Sequence, residues 1–132
     1  MKRLLLLPLL LLIPSAQAVD YVKCEAIQKF AREQNLLRSN EYQTAVMTIT
    51  RENEIPSKIH KKYGTSTCKY AGSSKSLDEF LATRKECKNF KNQLILSLGG
   101  EEEMKKINKK YNPRIERAKK DFKKAGCYGD IL

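Results

Sequence analysis

Apolar positions along this chain recur at steps of three and four, and polar punctuation divides the recurrence into segments. Asp20 can cap a first helix running to about Leu37, with Cys24, Ile27, Phe30, Ala31 and Leu37 as its apolar positions. Ser39-Asn40 reads as a turn. Asn40 followed by Gln43 resembles a capping box for a second helix, whose stripe is Tyr42, Ala45, Val46 and Ile49. Pro56 lacks an N–H and restricts Ile55 before it, so it interrupts that helix. It can open a short one, Pro56 to Tyr63, with Gly64 as a natural stop.

Gly64 to Lys75 is a loop holding Cys68. Ser76-Leu77-Asp78-Glu79 then has the form of a capping box. The helix it opens runs to about Leu98, with Leu77, Phe80, Leu81, Cys87, Phe90, Leu94 and Leu98 facing one way, and Gly99-Gly100 ends it. Glu101, Glu102 and Glu103 suit the start of another helix, where negative charge meets the positive end of the helix dipole. Its stripe is Met104, Ile107, Tyr111, Ile115, Ala118, Phe122 and Ala125. Pro113 lies inside without changing the phase, which predicts a kink or an in-line restart capped by Asn112. Gly126 ends it, next to Cys127. No run alternates with period two, so no strand is expected. Amphipathic helices on short connections imply mutual packing, and the expected fold is all-α: a small, irregular, up-down four-helix bundle.

The first eighteen residues stand outside that pattern. Lys2 and Arg3 precede eight leucines in nine positions, and Ala16-Gln17-Ala18 has the small-x-small form of a cleavage site. The reading is a signal peptide over 1–18 and one helical domain over 19–132. The apolar run is shorter than the roughly 20 residues a membrane-spanning helix needs, and no later stretch is long or apolar enough. The product is expected to be exported, either periplasmic or secreted, and the short n-region suits a bacterial signal.

That compartment changes the meaning of the four cysteines, Cys24, Cys68, Cys87 and Cys127. An even number in an oxidising space predicts two disulfides. Cys24 and Cys87 both sit on apolar helix faces. Cys68 and Cys127 fall at the same end of an up-down bundle. The favoured pairing is therefore Cys24–Cys87 with Cys68–Cys127, with two other connectivities open. There is no CxxC pair and the only histidine is His60, so no metal, haem or other cofactor is expected.

Charge adds the main functional lead. The chain carries +11, of which Lys2 and Arg3 account for two units, leaving +9 after the signal segment. Lys105, Lys106, Lys109, Lys110, Arg114, Arg117, Lys119, Lys120, Lys123 and Lys124 give ten bases against two acids over 105–124. This makes the last helix an expected anion-binding face, for an anionic polymer, an anionic membrane surface or an acidic protein. No motif sets a helix to read a nucleic-acid groove. His60 lies among Lys58, Lys61 and Lys62 and has no nucleophile motif to serve, so it reads as a surface histidine. Three consecutive glutamates do not share one helix face, so helix-start electrostatics accounts for Glu101 to Glu103 better than a metal site does. Tyr63, Tyr70 and Tyr128 could form a contact patch where the loop and the tail meet. The expectation is a non-enzymatic binder of an anionic partner through the basic helix. The alternative is an interaction module, of inhibitor, immunity or chaperone-like type, that uses the loop and tail end.

Overall fold

The structure, a computed structural model, describes residues 19–132; the segment read as a signal peptide lies outside the described residues. The described residues form helices joined by turns, with no strand, and carry two disulfides. Its helices are α1 (Tyr21–Glu52), α2 (Ile55–Tyr63), α3 (Leu77–Ile95) and α4 (Glu101–Lys124). A π-type turn, Leu96–Gly100, joins the last two.

The expected first and second helices are one. α1 runs 32 residues without a break through Ser39-Asn40, about 48 Å at 1.5 Å per residue. Asp20 caps it as anticipated, its Oδ1 accepting from the Lys23 N–H at 3.0 Å. The gap between the two apolar stripes proves to be a polar stretch in the same phase. Gln34, Arg38 and Glu41 lie on or beside the face that continues from Ile27 and Ala31 to Tyr42 and Ile49, and they meet polar groups of α4. Asn40, anticipated as a cap, offers only its backbone carbonyl, to the Thr44 hydroxyl within the same helix.

α1 ends where Pro56 forbids continuation. The Asn53 N–H and side-chain amide both donate to the Ile49 carbonyl, at 3.1 and 2.9 Å. α2 then starts one residue earlier than expected, at Ile55. Ser76 does occupy the N-cap of α3, but its hydroxyl makes no capping bond, so the expected box is not formed. α4 passes through Pro113 as one helix. Asn112, expected to cap a restart, accepts a 2.7 Å hydrogen bond from Arg38 Nη1 instead.

These corrections change the architecture. Instead of an up-down four-helix bundle, α1 and α4 form a long antiparallel pair, and α2 and α3 gather at the C-terminal end of α1. Three apolar clusters replace a single core. Ile49, Ile55, Ile59, Cys68, Ala71, Cys87 and Ile95 form one at the α2–α3 end. Ile107, Tyr111 and Ile115 pack with Tyr42 midway along the pair. Ala31, Ala118, Phe122 and Ile131 close the far end.

The disulfides follow the clusters. The favoured pairing is overturned: Cys24 bonds Cys127, and Cys68 bonds Cys87, with Cα–Cα separations of 5.7 and 5.5 Å. The physical reason is the unbroken α1. Cys24 lies 25 residues before Ile49 on one helix, about 38 Å along the axis, and Ile49 packs in the cluster that holds Cys87. A disulfide spans no more than about 7 Å between Cα atoms. Cys127 reaches Cys24 because α4 ends in a Schellman motif: the Gly126 N–H donates to the Lys123 carbonyl, and the Cys127 N–H to that of Phe122. Gly126 has φ 71°, the left-handed conformation that only glycine adopts freely. The tail then returns over α1, where Gln28 donates to the Asp130 carbonyl at 2.6 Å and Ile131 is buried.

Candidate anion-binding face

α4 can present its bases because its apolar stripe is occupied. Ile107, Tyr111, Ile115, Ala118 and Phe122 are buried, all at positions of the stripe expected from the periodicity, as a continuous face toward α1. Ten basic side chains therefore distribute over the remaining surface, and the structure sorts them into two kinds.

Five are engaged. Lys105 pairs with Glu101 at 3.0 Å and Glu102 at 3.5 Å, Lys106 with Glu103 at 3.0 Å, and Lys119 with Glu116 at 3.0 Å. The three glutamates thus neutralise the first turns of α4. Among the described residues no group of His, Cys, Asp or Glu side chains is arranged to hold a metal ion. Lys110 and Arg114 join the polar cluster at the middle of the pair. Lys110 Nζ and the Tyr111 hydroxyl both donate to Glu41 Oε1, at 2.5 and 2.6 Å. Arg114 Nη1 donates to Gln34 Oε1 at 3.1 Å, and its guanidinium lies 5.8 Å from the Tyr111 ring centroid.

Lys109, Arg117, Lys120, Lys123 and Lys124 have no carboxylate within 4 Å among the described residues. At 100° per residue, Lys109, Lys120 and Lys124 fall opposite the buried stripe, and Lys123 and Arg117 flank them on either side. The free charge is thereby concentrated on the C-terminal half of α4, on the side facing away from α1. No protein-family model, curated protein or solved structure matches this chain.

The other anticipated features fall elsewhere. His60 is exposed near the end of α2. Tyr63 stacks edge-on to Phe90 with ring centroids 5.9 Å apart and donates to Glu86 at 2.9 Å. That hydrogen bond, with Lys62 nearby, holds the Glu86 carboxyl below its ordinary range. Tyr70 is exposed in the α2–α3 loop beside Cys68, and Tyr128 is exposed beside Cys127. The tyrosine patch expected at one end does not form, because Cys68 and Cys127 belong to clusters at opposite ends of α1.

Glu41 was absent from the sequence-based site, and so was Gln34. A polar residue in phase with an apolar stripe is the signal that could have found them. Lys110 first and Tyr111 second hold the Glu41 carboxyl below its ordinary value of 4.5. A depressed carboxyl contributes stability above its unfolded pKa and loses it as pH falls through the folded pKa. We therefore expect thermal unfolding followed from about pH 6 to 3 to show a steeper acid loss for the wild type than for Glu41→Gln. Parallel curves for the two proteins would refute a role for this carboxylate.

Proposed function

We propose that this is an exported, non-enzymatic protein that holds an anionic partner against the outward face of α4. The carrying observation is the set of unpaired bases Lys109, Arg117, Lys120, Lys123 and Lys124 on a helix whose apolar side is already buried against α1. An amphipathic helix that lies in a membrane uses its apolar face there. In α4 that face is committed to the protein, which supports contact with a charged surface rather than insertion. The two disulfides suit an oxidising compartment, in keeping with the signal-like N-terminal segment. No helix of the described residues is long and apolar enough to cross a membrane.

The test is sedimentation of the oxidised protein with vesicles of phosphatidylglycerol and phosphatidylcholine, and with phosphatidylcholine alone, using polyphosphate as a competitor. Each base near an anionic surface contributes about 1 kcal/mol, screened by salt. The combined substitution of Lys109, Lys120, Lys123 and Lys124 by Glu should weaken binding by at least about a hundredfold. Lys110 is kept, because it bonds Glu41 and its loss would disturb the helix pair. Absence of binding to both anionic probes at low salt, or equal binding by the variant, refutes the reading. The loop-and-tail alternative has less support, since the loop and the tail lie at opposite ends of the molecule.

A further inference from the structure

One side of the α1–α4 pair carries a second, chemically different feature. A groove of about 380 Å³ lies between the helices, with Ile27, Phe30 and Ala118 among its apolar walls and Arg114, Arg117 and Asp121 on the α4 side. Its volume is within the range of about 300–1,000 Å³ typical of small-molecule sites. Phe30 is 44% exposed, although its neighbour Ala31 is fully buried. An aromatic ring left facing a groove with two guanidinium groups at its edge is an unusual use of apolar surface in a chain with so small a core.

We propose that this groove binds a free single-chain amphiphile with an anionic head group, the chemistry of a fatty acid. The apolar wall of Ile27, Phe30 and Ala118 takes the alkyl chain. Arg114 and Arg117 stand one turn apart on α4 and both line the groove; Arg114 keeps its Nη1 bond to Gln34 and has further N–H donors to share one carboxylate with Arg117, for which the planar guanidinium fork is well shaped. Arg117 has no carboxylate within 4 Å, although Asp121 lies one turn further on the same helix. Asp121 repels an anion from that end, which places the head group at the Arg114 end and runs the chain toward Ile27.

A larger groove of about 650 Å³ on the same side of the pair sharpens the assignment. Its charged walls are Glu41, Glu52, Glu102 and Glu103, with no base among them, so it offers the same head group no counter-charge. Charge therefore selects one groove of the two. The proposal does not rest on the outward lysines, which lie on a different side of α4; Arg117, between the two, is the one base they share.

The experiment is calorimetric titration of the oxidised protein with sodium dodecanoate below the concentration at which it aggregates, with dodecanol as the uncharged control. Saturable one-to-one binding of dodecanoate is expected, at least about tenfold tighter than dodecanol. Phe30→Glu should abolish it and Arg117→Gln should weaken it about tenfold. Both residues are exposed, and helix content by circular dichroism should be unchanged. Polyphosphate binding should survive Phe30→Glu, which separates failure of this groove from failure of the lysine face. No saturable dodecanoate binding, equal affinity for dodecanol, or full binding by a folded Phe30→Glu protein would each overturn the proposal.

Discussion

Replacing Cys24 and Cys127 by Ala should cost this protein about 3–5 kcal/mol, a large part of the 5–15 kcal/mol that holds a typical domain together. The bridge joins residues 103 apart and ties the start of α1 to the end of α4. Constraining the unfolded chain over a loop of about 100 residues stabilises by as much as about 4.7 kcal/mol in the chain-entropy account, against about 3 kcal/mol for a loop near 15–20 residues. The Cys68–Cys87 bridge, at a separation of 19, belongs to the second case. The far end of the pair also has little else. Its buried cluster is Ala31, Ala118, Phe122 and Ile131, two of them alanines that allow close helix approach but contribute small area. Urea unfolding should show the midpoint falling further for the Cys24/Cys127 variant than for Cys68→Ala/Cys87→Ala. Amide exchange should speed up first over the opening turns of α1 and the last turns of α4. A loss below about 1 kcal/mol would show that packing, rather than the bridge, holds that end.

Tyr111→Ala should cost about 3–5 kcal/mol, the cost of truncating a large buried ring. Tyr111 is only 3% exposed, at the centre of the midway cluster with Ile107, Ile115 and Tyr42. It also serves the polar side of the interface. Its hydroxyl donates to Glu41, and its ring lies under Lys110 and Arg114, at 5.0 and 5.8 Å from the centroid. Tyr111→Phe isolates the hydroxyl and should cost about 1 kcal/mol. It should also move the Glu41 carboxyl back toward its ordinary range, because one of the two hydrogen bonds that depress it is gone. Chemical denaturation measures the first effect and carbon-detected NMR titration of the carboxyl the second. Near-equal losses for the Ala and Phe variants would mean that the ring's packing contributes little.

Both predictions concern the α1–α4 interface, where sequence reasoning succeeded on one strand of the argument and failed on the other. On α4 the apolar period is strong, and five of its seven predicted stripe positions, Ile107, Tyr111, Ile115, Ala118 and Phe122, are buried. Met104 stays exposed at its first turn. On α1 the same period is interrupted by Gln34, Arg38 and Glu41, and the interruption resembled the end of a helix. On α3 the stripe holds from Cys87 through Phe90 and Leu94 to Leu98, and Ile95, outside the expected stripe, is buried with them; Leu77 and Leu81 stay exposed, because the opening turns of that helix extend beyond the cluster it joins.

The sequence by itself determined the helical class, the Asp20 cap, the break at Pro56 and the apolar face of α4. Each of these is written in residues within a few positions of one another, where backbone hydrogen bonding and period act locally. The tertiary structure alone decided that α1 is continuous, that Cys24 meets Cys127, and that Phe30 borders a groove with Arg114 and Arg117. The reason is that a polar residue inside an apolar stripe is costly unless a partner satisfies it. The partners of Gln34, Arg38 and Glu41 lie 69 to 80 residues away on α4.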